Sequence, residues 1–210
     1  HRRLLDLGVD EARVHVTGNM KYDCVVMGEQ ADALRVLEAA EPRQIAYAGE
    51  GRIKAIAEAY YRRLGERASR KDVTRIEPQE LRDAVLTRYA QTRAEQGLYG
   101  DAIALADAVR NHSSRDDALM SVAGRCLEAA DSIESAAPAF EVLDLLRAAT
   151  DRLRLRARLA AKQAELGRKE EAARAARSLV KDLRVEKTAS LRSELLGEVA
   201  VTLHRLGLTE

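Results

Sequence analysis

Four histidines, two cysteines and a few paired carboxylates are the residues in this chain whose types could do chemistry, and their spacing decides what they can do. His1, His15, His112 and His204 are scattered, and none has a second histidine or cysteine at ligand spacing. No metal site is therefore expected. Cys24 and Cys126 lie far apart, in no metal or redox spacing. Cys126 falls on an apolar helix stripe without a predicted histidine partner, which makes it a core residue rather than a nucleophile. Asp116-Asp117 and Glu170-Glu171 could form acid–base pairs, yet both stand at predicted helix starts, where negative charge favours the helix dipole. "AGEGR" carries a Gly-x-Gly ahead of a helix but lacks the Lys-Ser/Thr of a phosphate loop, so it reads as a plain turn. No catalytic residue, cofactor or metal is expected.

The elements that carry these residues are helices. Of 210 residues, 37 are Ala and 12 Gly, while aromatics make up only 3% and Trp is absent. Small residues let helices approach closely, and Ala has the highest helix propensity. The core must be built from Leu, Val, Ile and Ala. Thirty-five basic residues against 34 acidic ones give a net charge of +1, so no global field draws the chain to nucleic acid or membrane. Residues 151–187 hold 12 Lys/Arg against 6 Asp/Glu. That surplus reads as a solvated helix surface, since no aromatics or binding module accompany it. No window reaches transmembrane length, and two lone cysteines point to a reducing compartment, so a cytoplasmic location is expected.

Along the chain, "RRLLDLGV" reads as the end of a helix and "RVHVTG" alternates like a strand, with the only strand expected near residues 13–17. Residues 28–40 and 52–68 are amphipathic helices, and Pro78 with Glu80 starts the next one. From there a repeat emerges. Turn positions Gly97, Asp131, Gly167 and Gly207 succeed one another at 34, 36 and 40 residues. Seven residues before each stands a small residue (Ala90, Gly124, Ala160, Ala200), and five after stands another (Ala102, Ala136, Ala172). Two helices can cross closely only over small side chains.

The pattern resembles the tetratricopeptide repeat (TPR), a helix–turn–helix unit of about 34 residues. "GLYGDA" reproduces that family's turn into the second helix through Gly97, Tyr99 and Ala102. The first-helix aromatic of the family is replaced here by Leu86, Met120, Arg156 and Leu196. The resemblance implies an all-α fold, an α-solenoid of antiparallel TPR-like helix pairs over 78–210 that binds a protein or peptide in a concave groove. Carrying over the family's groove positions points to Thr87, Gln91 and Glu95 in the first unit and to Ser121, Arg125 and Glu128 in the second. The third contributes Arg154, the fourth His204 and Arg205. The last helix, with Leu191, Leu195, Val199 and Leu203 packed inward, would lack its partner, and Val201 and Leu208 would be open to weak self-association.

A second resemblance lies at the start. "LLDLGVDEARVHVTGNMKYD" is similar to a segment of the Kdo (3-deoxy-D-manno-octulosonate) transferases, in which it ends the N-terminal Rossmann-like half. Thr17, Gly18, Asn19 and Lys21 match that family's motif. The expected organisation is a helix–strand–turn appendage over 1–28, connecting helices over 29–77 and repeats over 78–210. The expected function is an interaction scaffold without activity of its own. The alternative is a fragment of, or extension to, a Kdo transferase.

Overall fold

The computed structural model describes residues 50–64, 73 and 76–207. The Kdo transferase-like stretch, the predicted strand and the predicted helix at 28–40 lie outside the described residues. Among the described residues the fold is all-α. Its eight helices are α1 (Glu50–Leu64), α2 (Gln79–Glu95), α3 (Tyr99–Asp107), α4 (His112–Ala129), α5 (Ala137–Leu145), α6 (Ala149–Glu165), α7 (Lys169–Val185) and α8 (Ala189–Arg205). The stretch "RLRLRAR" alternates like a strand but is helical throughout within α6, as its continuation into "LAAKQAE" predicts.

Helix ends follow local chemistry. Pro78 caps α2 and Glu80 sits in its first turn. The turns at Gly97, Gly167 and Gly207 have φ of 76°, 78° and 74°, the left-handed region that side chains resist. Leu98 N donates to Arg93 O at 2.8 Å and Gly97 N to Ala94 O at 3.0 Å, which closes the end of α2 with its carbonyls satisfied. Arg168 and Gly167 close α6 in the same way. The expected turn at Asp131 differs. Asp131 does not supply a left-handed residue; Ala130 is extended, and a serine cluster turns the chain instead. Ser135 Oγ accepts from Asp131 N at 3.1 Å and Ser132 N at 3.0 Å, while Ser135 N donates to Ser132 Oγ at 3.1 Å.

Each closely packed pair joins a helix to the next or to the next but one: α2 with α4, α3 with α5, α4 with α6, α6 with α8. Small residues sit where helices cross. Ala102, Ala136 and Ala172, equally placed after the turns, are all buried, as are Ala90 and Ala160. The expected spacing of small residues slips at two of its positions. There Ala123 rather than Gly124 is buried, and Ala200 is exposed. The core falls into three clusters, one between α1 and α2, one centred on α3–α5, and one joining α6, α7 and α8. In the last, Leu191, Leu195 and Val199 are buried, Leu203 packs beside them, and Val201 is half exposed. Leu208 lies outside the described residues.

Candidate functional site

Two kinds of polar construction stand out, one buried and structural, the other an open groove. The buried one repeats. Asp83 and Asp116 are each the fifth residue of their helix and are almost fully buried. Asp83 accepts from Arg110 N at 3.1 Å and Asn111 N at 2.9 Å, ahead of α4. Asp116 accepts from Arg147 N at 3.0 Å and Ala148 N at 2.7 Å, ahead of α6. Each carboxylate thus staples one helix to the loop that begins the next but one. Arg115 reinforces the second staple, bonding Asp116 at 3.1 Å, the carbonyl of Leu145 at 2.9 Å, and Asp107. The dipole reading of Asp116-Asp117 is therefore corrected for Asp116, a buried staple; Asp117 is exposed. The paired Arg-Asp at 82–83 and 115–116 was the sequence signal for it. The fifth residue of α6 is Leu153, buried in the α6–α8 cluster, so the third link is apolar.

The groove lies against α1, α2 and the start of α4. It has a volume of about 680 Å³ and is lined by Ile53, Ala57 and Ala84 below and by polar side chains, Thr87 and Gln91 among them, around the rim. Its α1 wall is held by Arg88. That guanidinium bonds Glu58 at 2.7 Å and Thr92 at 2.8 Å and lies 4.8 Å from the centre of the Tyr61 ring. Tyr61 in turn meets Tyr89 edge-on at 4.7 Å. The hydrogen bond from Arg88 holds the Glu58 carboxyl below the usual carboxylate range, with burial acting against it.

The structure brings two of the nine predicted site residues, Thr87 and Gln91, into this groove. Thr87 Oγ1 also donates to Asp83 O at 2.9 Å. Glu95 of α2 and Arg125 of α4 pair with each other at 3.6 Å. Arg154 of α6 reaches Glu194 of α8 at 3.6 Å, and Arg205 of α8 reaches Glu165 of α6 at 3.4 Å. These are exposed ion pairs between next-but-one helices, each worth about 0.2–1 kcal/mol. Ser121, Glu128 and His204 are exposed and line neither groove wall. Ile53, Glu58, Glu80, Arg88 and Asp117 line the groove without having been predicted. Three of these five, Ile53, Glu58 and Asp117, reach it from α1 and α4, an approach of helices that no local pattern records.

Cys126 is buried, its Sγ donating to Ser135 O at 3.3 Å, and burial pushes the thiol up, away from thiolate. Among the described residues no group of His, Cys, Asp and Glu is arranged to hold a metal ion. Among them, too, no helix is long and apolar enough to cross a membrane. Of the basic stretch, Arg156 pairs with Asp182, while Arg174, Arg177, Lys181 and Arg184 line the solvent side of α7. Among the described residues the fold is all-helical, with an open cleft beside α1, α2 and α4. Comparison with protein-family models, with curated proteins and with solved structures finds no match.

Proposed function

We propose that the chain is a helical-repeat interaction scaffold, an α-solenoid that binds a protein or peptide segment along the side formed by α2, α4, α6 and α8. The observation that carries this reading is the groove beside α1, α2 and α4, large enough for several side chains and rimmed by hydrogen-bonding groups on an apolar floor. That every closely packed pair of described helices joins near neighbours supports the solenoid, because stacked units bury a continuous seam and leave one side free. The test is selection from a display library of random peptides on the immobilised 210-residue chain, repeated with Gln91→Trp, which fills the groove from an exposed position. Enriched peptides that lose binding to Gln91→Trp would support the reading. Peptides held equally by both chains, or no enrichment, would overturn it.

The alternative, an extension of a Kdo transferase, rests on residues 4–23 alone and would require transfer of Kdo from its nucleotide donor to a lipid A precursor. We expect no turnover by this chain, and measurable turnover would refute the scaffold reading in its simple form.

A further inference from the structure

The charges that line the groove are unbalanced. Among the described lining residues, four carboxylates, Glu58, Glu80, Asp83 and Asp117, face one guanidinium, Arg88, a balance of −4 + 1 = −3. Two of the four are already satisfied. Glu58 is held by Arg88 and Arg62, and Asp83 by the backbone N–H groups ahead of α4. Arg88 is itself committed to Glu58, Thr92 and the Tyr61 ring, so it does not neutralise the others. Glu80 on α2 and Asp117 on α4 are exposed and have no cationic partner among the described residues. They stand on two different helices that both line the cleft above Ile53, Ala57 and Ala84.

From this geometry we infer that the groove selects a Lys- or Arg-bearing peptide segment, its cationic side chain set between Glu80 and Asp117 and its aliphatic stem laid over Ile53, Ala57 and Ala84. The inference rests on the scaffold reading and names the chemistry of its partner. The physical logic is twofold. Long cationic side chains cover apolar surface with their methylene stems while the charged head reaches a polar rim. Carboxylates on a concave wall also concentrate cations, and they repel the phosphates of nucleic acids and anionic lipid surfaces. Thr87, Gln91 and Ser114 around the same rim can serve the peptide's backbone groups. The chain's own stretch 28–40 is a poor occupant on charge, since its Glu29, Asp32 and Glu38 against Arg35 would place like charge on like.

The experiment is fluorescence anisotropy with the 210-residue chain and a labelled Lys-Ala peptide, beside a Ser-Ala peptide of equal length. Two variants carry the argument. One is Glu80→Lys with Asp117→Lys. The other makes the same change in net charge away from the groove, Glu134→Lys with Glu141→Lys, both exposed. Each reversal turns an attraction into a repulsion, so the groove variant should bind the Lys-Ala peptide about tenfold more weakly at low salt. High salt should erase the difference by screening. The off-groove variant should stay close to the unmodified chain, and circular dichroism should show all three equally helical. Equal weakening in both variants would reduce the effect to net charge and overturn the inference, as would unchanged affinity in the groove variant. If selected peptides bind and are lost in Gln91→Trp while the Lys-Ala peptide does not bind, the inference fails and the scaffold reading stands. If no peptide of any charge binds, the scaffold reading itself fails.

Discussion

Replacing Asp116 by alanine should remove the more heavily tied of the two buried staples. In the native chain its carboxylate takes bonds from Arg147 N, Ala148 N and the Arg115 guanidinium, at 3.0, 2.7 and 3.1 Å. Alanine leaves those two N–H groups without their acceptor and Arg115 still buried. Arg115 keeps Asp107 and the Leu145 carbonyl, so its charge is not abandoned. Removing one partner of a buried ion pair costs about 3–5 kcal/mol when the other is left alone. The surviving bonds and water access at the exposed Arg147 place the expected loss near the lower end, about 3 kcal/mol. At about 2–4 °C per kcal/mol for a chain of this size, the midpoint should fall by about 6–12 °C. Thermal unfolding followed at the helix band measures it, with Asp117→Ala as the control. Asp117 is the exposed neighbour, and its replacement should lie within about 0.5 kcal/mol of the unmodified chain. If Asp116→Ala and Asp117→Ala unfold together, the staple does not hold α4 to α6 and the reasoning fails.

Two further outcomes follow from local geometry. Gly97→Ala and Gly167→Ala force a side chain into φ of 76° and 78° and should each cost about 1 kcal/mol in thermal unfolding. Gly100→Ala, inside α3 with nothing within 4 Å of the added methyl, should be neutral or stabilising, and an equal loss at all three would refute the turn argument. The Glu58 carboxyl is held below its usual range by the hydrogen bond from Arg88, so its contribution is present above the unfolded carboxylate range and is lost as pH falls through the lowered folded value. Near-ultraviolet dichroism of the Tyr61–Tyr89 pair should therefore weaken on acidification below about pH 4, and less steeply in Glu58→Gln. Superimposable pH profiles would show that the Arg88 clasp does not hold α1 on α2.

Much of the helical layout was legible because it is decided within a few residues. Gly97, Gly167 and Gly207 announce left-handed turns, since only glycine enters that region without steric cost. Ala102, Ala136 and Ala172 mark close crossings, and Leu191, Leu195 and Val199 fix the inward side of α8 by their spacing. The site was less so. Thr87 and Gln91 came from the groove positions that the repeat resemblance implies, yet Glu58 and Ile53 reach the same groove from α1, and Asp117 from α4. Asp116 read locally as an ordinary acid near a helix start and Asp83 drew no notice, although each binds backbone 27 to 32 residues away. Only packing brings those N–H groups to them. The slip from Gly124 to Ala123 and the exposure of Ala200 have the same origin. Periodicity and turn chemistry are properties of a short stretch of chain. Which face is covered, and what closes around a carboxylate, are decided by helices that meet only after the chain has folded.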